Sequence, residues 1–199
     1  MAIFSLNAQE ITLWHAFDGP LKEAFEEIVQ DFNHQSGSYK VIPIKKGNYA
    51  DVVKQGLQAF EKGEHPHILQ IYEVATLTAM QTKGVFRPVD DLMRSFNKKF
   101  DPAVYIDLVR HFYSSPEGKM LSLPWNVSTG LLFYNKEAFK KAGLDPENPP
   151  QTWEELESLA SKLTARGYTG FTTAWPAAYH LEHLSSWHSL PFATEKNGF

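Results

Sequence analysis

The pattern that most constrains the fold is a threefold succession of strand and helix within residues 11–84. Ile11 to Phe17 alternates enough for a strand, and Asp18-Gly19-Pro20 then enters a helix with the proline in its first turn. Leu21, Ala24, Phe25, Ile28, Val29 and Phe32 recur at spacings of three and four, so one helix face is apolar, and Gly37 is expected to close it. Tyr39 to Ile44 reads as a second strand, after which Lys46-Gly47-Asn48 turns into a helix carrying Val53, Leu57 and Phe60 on one face. Ile68 to Tyr72 is almost wholly apolar, as a strand covered on both faces is, and a helix from about Val74 to Thr82 ends at Gly84. Successive strand-helix units predict an α/β fold, a mostly parallel sheet with helices on both sides.

Such a sheet needs a core, and 43% apolar residues with 14% aromatic in 199 residues supply one. The length fits one large domain or two small ones. A net charge of -4, with Lys and Arg spread along the chain, argues against a nucleic-acid partner. The lack of cysteine excludes disulfides, thiolate metal sites and a cysteine nucleophile. No run reaches the ~18 apolar residues of a membrane-spanning helix. Residues 1–9 read as the end of a signal peptide, with a small-residue cleavage region near Ala8, or as an ordinary flexible N-terminus.

Beyond residue 84 the signals are more mixed. Val85 to Met93 reads as loop and short helix, Asp101 to Arg110 as helix, and His111 to Leu123 as a hairpin or extended segment turning at Ser114-Ser115-Pro116-Glu117-Gly118. Leu131 to Tyr134 reads as a buried strand feeding a short helix capped by Asn135 and stopped by Gly143. Thr152 and Glu155 have capping-box spacing at the head of a helix whose buried stripe is Leu156, Leu159 and Leu163 and which ends at Arg166-Gly167. Tyr168 to Ala174 is expected to be a strand and His180 to Ser189 a helix, while Asn197-Gly198 signals a turn into a further element. The expected organisation is a first lobe over 10–126, then a crossover and the start of a second, incomplete lobe over 127–199.

The run Tyr-Asn-Lys-Glu-Ala-Phe-Lys-Lys-Ala-Gly-Leu-Asp-Pro at 134–146, followed by Pro-Pro-Gln-Thr-Trp at 149–153, resembles extracytoplasmic solute-binding proteins of ABC importers, and within them the glycerol-phosphate binders. The resemblance implies a periplasmic binding protein type II-like fold: two lobes with mostly parallel sheets flanked by helices, the second truncated here. It implies a binding protein and not an enzyme, without cofactor, located in the periplasm. Its ligand would be sn-glycerol-3-phosphate or a glycerophosphodiester held in an interlobe cleft, and its partners the membrane permease subunits. Sugar and oligosaccharide binders share Tyr-Asn-Lys and Pro-Pro-x-Thr-Trp, so a sugar ligand is the alternative. An incomplete second lobe would also leave a face through which two copies could pair.

In open parallel sheets ligands bind outside the carboxyl ends of the strands. Tyr49, opening the second helix, and Glu73, ending the third strand, fall on that edge, and Ser128 lies at the interlobe crossing. The resemblance matches these three to ligand contacts and adds Trp175 in a loop of the second lobe. A carboxylate at Glu73 accepts hydrogen bonds from two hydroxyls and repels phosphate, so it suits the glycerol end. Ser128 donates to a phosphate oxygen, Tyr49 stacks or donates, and Trp175 gives a rigid apolar wall. Each also has a structural reading: surface tyrosine, solvated glutamate, turn serine, packed tryptophan. Two positions depart from the family pattern, Ala178 where a second tryptophan is expected and Val127 where a small polar residue is. Histidines at His65 and His67, and at His180 and His183, raise a metal-assisted phosphodiesterase. The spacing of four on one helical turn that zinc hydrolases use is absent.

Overall fold

The computed structural model describes residues 8–82, 84–174 and 177–194. Trp175, the Asn197-Gly198 turn and most of the expected signal-peptide end lie outside them. The chain forms two compact units, Met1–Pro124 and Trp125–Phe199.

In the first unit three parallel strands, β1 (Gln9–His15), β2 (Tyr39–Lys45) and β3 (Ile68–Leu69), lie in the order β2-β1-β3. Register runs from Gln9 opposite Tyr39 to His15 opposite Lys45, and Leu13 faces Ile68. The crossovers are α1 (Gly19–Gln35) and α2 (Tyr49–Glu61). The chain steps one way from β1 to β2 and back across β1 to β3. Right-handed crossovers then put the two helices on opposite faces, giving a parallel sheet flanked by helices.

Local chemistry starts each helix. Asp18 accepts from the Gly19 N–H at 3.0 Å, with Pro20 in the first turn. Phe25 and Val29 of α1 join Phe17, Leu13 and Val41 in one apolar cluster, and burying a phenylalanine such as Phe25 stabilises by about 2–3 kcal/mol. Only these two of the six predicted face residues are buried; Leu21 and Ile28 are half exposed. The helix ends at Ser36, whose N–H bonds the Phe32 carbonyl, and not at Gly37. Asn33 instead ties the helix end to β2, its amide donating to the Val41 carbonyl and accepting from the Val41 N–H at 2.9 and 2.7 Å.

On α2 the buried residues are Val52, Val53, Gly56 and Ala59, one step round from the predicted face. Gly56 decides this: a Cβ there would stand 2.6 Å from the Leu69 side chain, so the helix seats directly on β3. The third strand is shorter than Ile68 to Tyr72. Gln70 N–H still bonds the Trp14 carbonyl at 3.0 Å. The next donor, Ala16 N–H, goes to the Gln70 side chain at 2.8 Å, and the ladder stops.

A 3-10 turn (Glu73–Ala75) leads into α3 (Thr76–Gln81), followed by α4 (Val89–Ser95). The predicted helix over 101–110 is broken into a 3-10 turn, Pro102–Val104, and α5 (Asp107–Phe112). Asp101 caps the first piece, and Tyr105 and Ile106 adopt extended backbone between the two. The expected turn forms as a tight hairpin, with Ser114 bridging Met120 and Gly118 turning at φ +83°, but His111 and Phe112 belong to α5.

The second unit contains α6 (Lys136–Lys141), α7 (Trp153–Thr164) and α8 (Ala177–Trp187). Asn135 caps α6 through the Ala138 N–H, and Gly143 follows with φ +76°. Phe139, Ala138, Ala142 and Leu163 make its core. Thr152 caps α7 by accepting from the Glu155 N–H at 3.2 Å, but the Glu155 carboxylate reaches back to the Gln151 N–H and not to Thr152, so the box closes one residue early. Neither predicted strand of this unit forms. Leu131 is 71% and Phe133 87% exposed, and residues 168–174 are likewise irregular. A strand needs a ladder partner for its N–H and C=O groups, and among the described residues neither segment has one.

Candidate functional site

Because all three strands of the first unit run the same way, their carboxyl ends meet at one edge, and the chain leaves each strand there. After β2, Gly47 adopts φ +85°, and a Cβ at this position would lie 2.6 Å from an Asp51 oxygen. Only glycine makes this turn without strain. It delivers Asn48 as a full capping box: Asn48 Oδ1 accepts from the Asp51 N–H, and Asp51 Oδ2 accepts from the Asn48 N–H. Tyr49 is thereby fixed as the first residue of α2, on the strand-end edge. After β3 the extended Tyr72 opens the 3-10 turn that begins with Glu73.

The Tyr49 and Tyr72 rings lie 5.9 Å apart at 35°. The structure thus brings Tyr49 and Glu73 to the same edge, linked through Tyr72. The Glu73 charge also reaches Tyr113, just ahead of the hairpin. Burial pushes the Tyr113 hydroxyl above its ordinary pKa, and the Glu73 charge pushes it further the same way. Tyr113 therefore stays protonated as a hydrogen-bond donor. An exposed carboxylate beside tyrosine rings can accept from vicinal hydroxyls while the rings cover a carbon chain or sugar face.

Ser128 lies exposed on the irregular segment that enters the second unit. Two residues on, Gly130 backs onto His183, where a Cβ would be 3.3 Å from the imidazole. Trp175 lies outside the described residues. The four histidines weighed as metal ligands are engaged locally. His65 packs on Phe60, His67 Nδ1 lies 2.9 Å from the Thr12 hydroxyl, His180 Nε2 lies 3.1 Å from the Ala174 carbonyl, and His183 stacks on Trp187. Among the described residues no three His, Asp or Glu side chains are grouped to hold a metal.

Sequence reasoning passed over Tyr72, Trp14 and Lys46. The rule that found Tyr49 would have found two of them, because Lys46 follows β2 and Tyr72 follows β3, whereas Trp14 lies inside β1, one residue before its end. Tyr113 carried no local signal, since the hairpin brings it in from 40 residues beyond Glu73.

The family described as bacterial extracellular solute-binding protein matches residues 18–198. The chain is 43% identical over 201 residues to the sn-glycerol-3-phosphate-binding periplasmic protein UgpB of Yersinia pestis bv. Antiqua (strain Antiqua), covering 98% of this chain and 46% of that protein. Identity is also 43% to the protein of the same name from Escherichia coli (strain K12), over 97% of this chain and 45% of the relative. The chain spans about half the length of these curated relatives. The crystal structure of the cyclic alpha-maltosyl-1,6-maltose binding protein from Arthrobacter globiformis shares the fold. Its TM-score is 0.62 at 23% identity, over 80% of this chain and 39% of that one.

Proposed function

This chain belongs to the bacterial extracellular solute-binding protein family, and from that premise we propose that it serves an ABC importer in the periplasm by capturing sn-glycerol-3-phosphate or a glycerophosphodiester. The observation that carries the proposal is the Tyr49, Tyr72 and Glu73 edge of the first unit. Glu73 takes the glycerol hydroxyls and the tyrosine rings take the carbon chain. The names of the 43% identical relatives support the phosphate half of the reading. Ser128 donates to a phosphate oxygen and Trp175 supplies an apolar wall in the same proposal. Ligand that binds one conformation better than another shifts the population toward it, and that conformation docks on the permease subunits. Exposed Leu131 and Phe133 support self-association of the 199-residue chain, which sedimentation equilibrium reads.

The second reading, a sugar or oligosaccharide ligand, draws on the same tyrosine pair, because two rings at 5.9 Å present faces on which a pyranose stacks. Calorimetric titration with glycerol-3-phosphate, a glycerophosphodiester and maltose separates the two. Micromolar affinity corresponds to about -8 kcal/mol. The expected result is binding at that level of one of the phosphates, with maltose silent, in protein expressed from the whole reading frame. The 199 residues alone are expected to bind at least tenfold more weakly. Heat from maltose alone would replace the phosphate reading with the sugar one.

A further inference from the structure

Lys46 carries the one feature of the strand-end edge that neither Glu73 nor the tyrosines can supply, a positive charge. Its neighbour Lys45 is spent in an ion pair with Asp18. Lys46 is different: among the described residues no carboxylate lies within ion-pair distance of its ammonium. Nζ stands instead 4.0 Å from the centre of the Trp14 ring. That contact holds a half-buried cation in place without neutralising it.

The backbone is held as firmly. Lys46 N–H bonds the His15 carbonyl at 3.0 Å, and the Lys46 carbonyl accepts from the Gln55 side chain at 3.1 Å. Lys46 therefore joins β1, β2 and α2 at the point where the chain turns through Gly47 to Tyr49. The one carboxylate on this turn, Asp51, is occupied by the Asn48 N–H as a helix cap.

We propose that Lys46 is the residue that makes this edge selective for anionic ligands: its ammonium, fixed on Trp14, attracts a phosphate group while Glu73 holds the hydroxyl end. This rests on the functional reading above and deepens it. A single carboxylate at the edge would repel every phosphate ester. A cation on the same strand-end edge converts it into a dipolar site that orients a molecule with hydroxyls at one end and phosphate at the other. Lys46 also differs from a freely solvated lysine in that its rotamer entropy is already spent on the indole face.

The test measures glycerol-3-phosphate and glycerol affinities for wild type, Lys46→Met and Lys46→Arg in protein expressed from the whole reading frame, each at low and high salt. Lys46→Met keeps the stem on Trp14 and removes the charge. Circular dichroism melting confirms that each variant folds. The expected result is a loss of about tenfold or more in glycerol-3-phosphate affinity for Lys46→Met. Glycerol affinity stays unchanged, the salt dependence becomes shallower and Lys46→Arg recovers most of the loss. Equal glycerol-3-phosphate affinity in wild type and Lys46→Met overturns the role of Lys46 while leaving the functional reading in place. A parallel loss for glycerol and glycerol-3-phosphate overturns it as well, by making Lys46 a structural residue. Failure of wild type to bind glycerol-3-phosphate overturns the functional reading and this inference together.

Discussion

The two units resolve the same sequence signal differently. Ile11 to Leu13 and Leu131 to Phe133 are both short apolar-rich runs, yet the first lies in the middle strand of a sheet and the second lies open with Phe133 almost fully exposed. What separates them is company. β1 has β2 on one side, β3 on the other and a helix over each face, whereas the 131–134 run has no ladder partner among the described residues. Hydrophobic pattern says which residues can be buried, and pairing decides whether a strand exists.

The contrast predicts where substitutions hurt. Phe25→Ala removes a ring that sits 5.2 Å from Phe17 and 4.8 Å from His15 in the first unit's core. It should cost about 3–5 kcal/mol, read as faster hydrogen exchange at the β1 amides. A loss below about 1 kcal/mol would mean that the first unit's core does not hold its sheet. In the second unit the strongest local device is a helix cap, and Thr152→Ala should cost only about 1 kcal/mol, measured by urea denaturation. A much larger loss would erase the difference between a core ring of the first unit and a helix cap of the second.

The smallest effect should come from pH. His15 is buried among Phe17 and Phe25, and its Nδ1 accepts from the Phe17 N–H at 3.2 Å. Burial lowers its pKa below the ordinary 6.5; the Glu26 charge opposes this, and Lys22 and Lys45 reinforce it. The unfolded chain then binds the proton more readily than the folded one. His15 therefore contributes stability that is complete above pH 6.5 and lost as pH falls through the folded value. Denaturation midpoints across that range should decline on acidification in wild type and decline less in His15→Gln.

What the sequence disclosed follows the same division. The strand-helix order over β1 to β3, the Asp18, Asn48, Asn135 and Thr152 starts and the Gly118 and Gly143 turns were legible, because each signal lies in neighbouring residues. The seating of α2 was not, because Gly56 takes its meaning from Leu69, a residue on another element. The same holds at the edge. Tyr49 and Glu73 could be placed by strand polarity alone, but the ring pair with Tyr72, the pull of Glu73 on Tyr113 and the perch of Lys46 on Trp14 are long-range facts.

The position of β1 in the sheet has a consequence in time as well as in space. Both its neighbours lie downstream and both pair in parallel, so no hairpin can start the sheet. Leu13 meets Ile68 only after 55 further residues have arrived. At roughly 5–20 residues per second that is a wait of about 3–11 s. Any route that delivers this chain from its amino end therefore leaves one edge of an apolar first strand open for longer than its helices need to form.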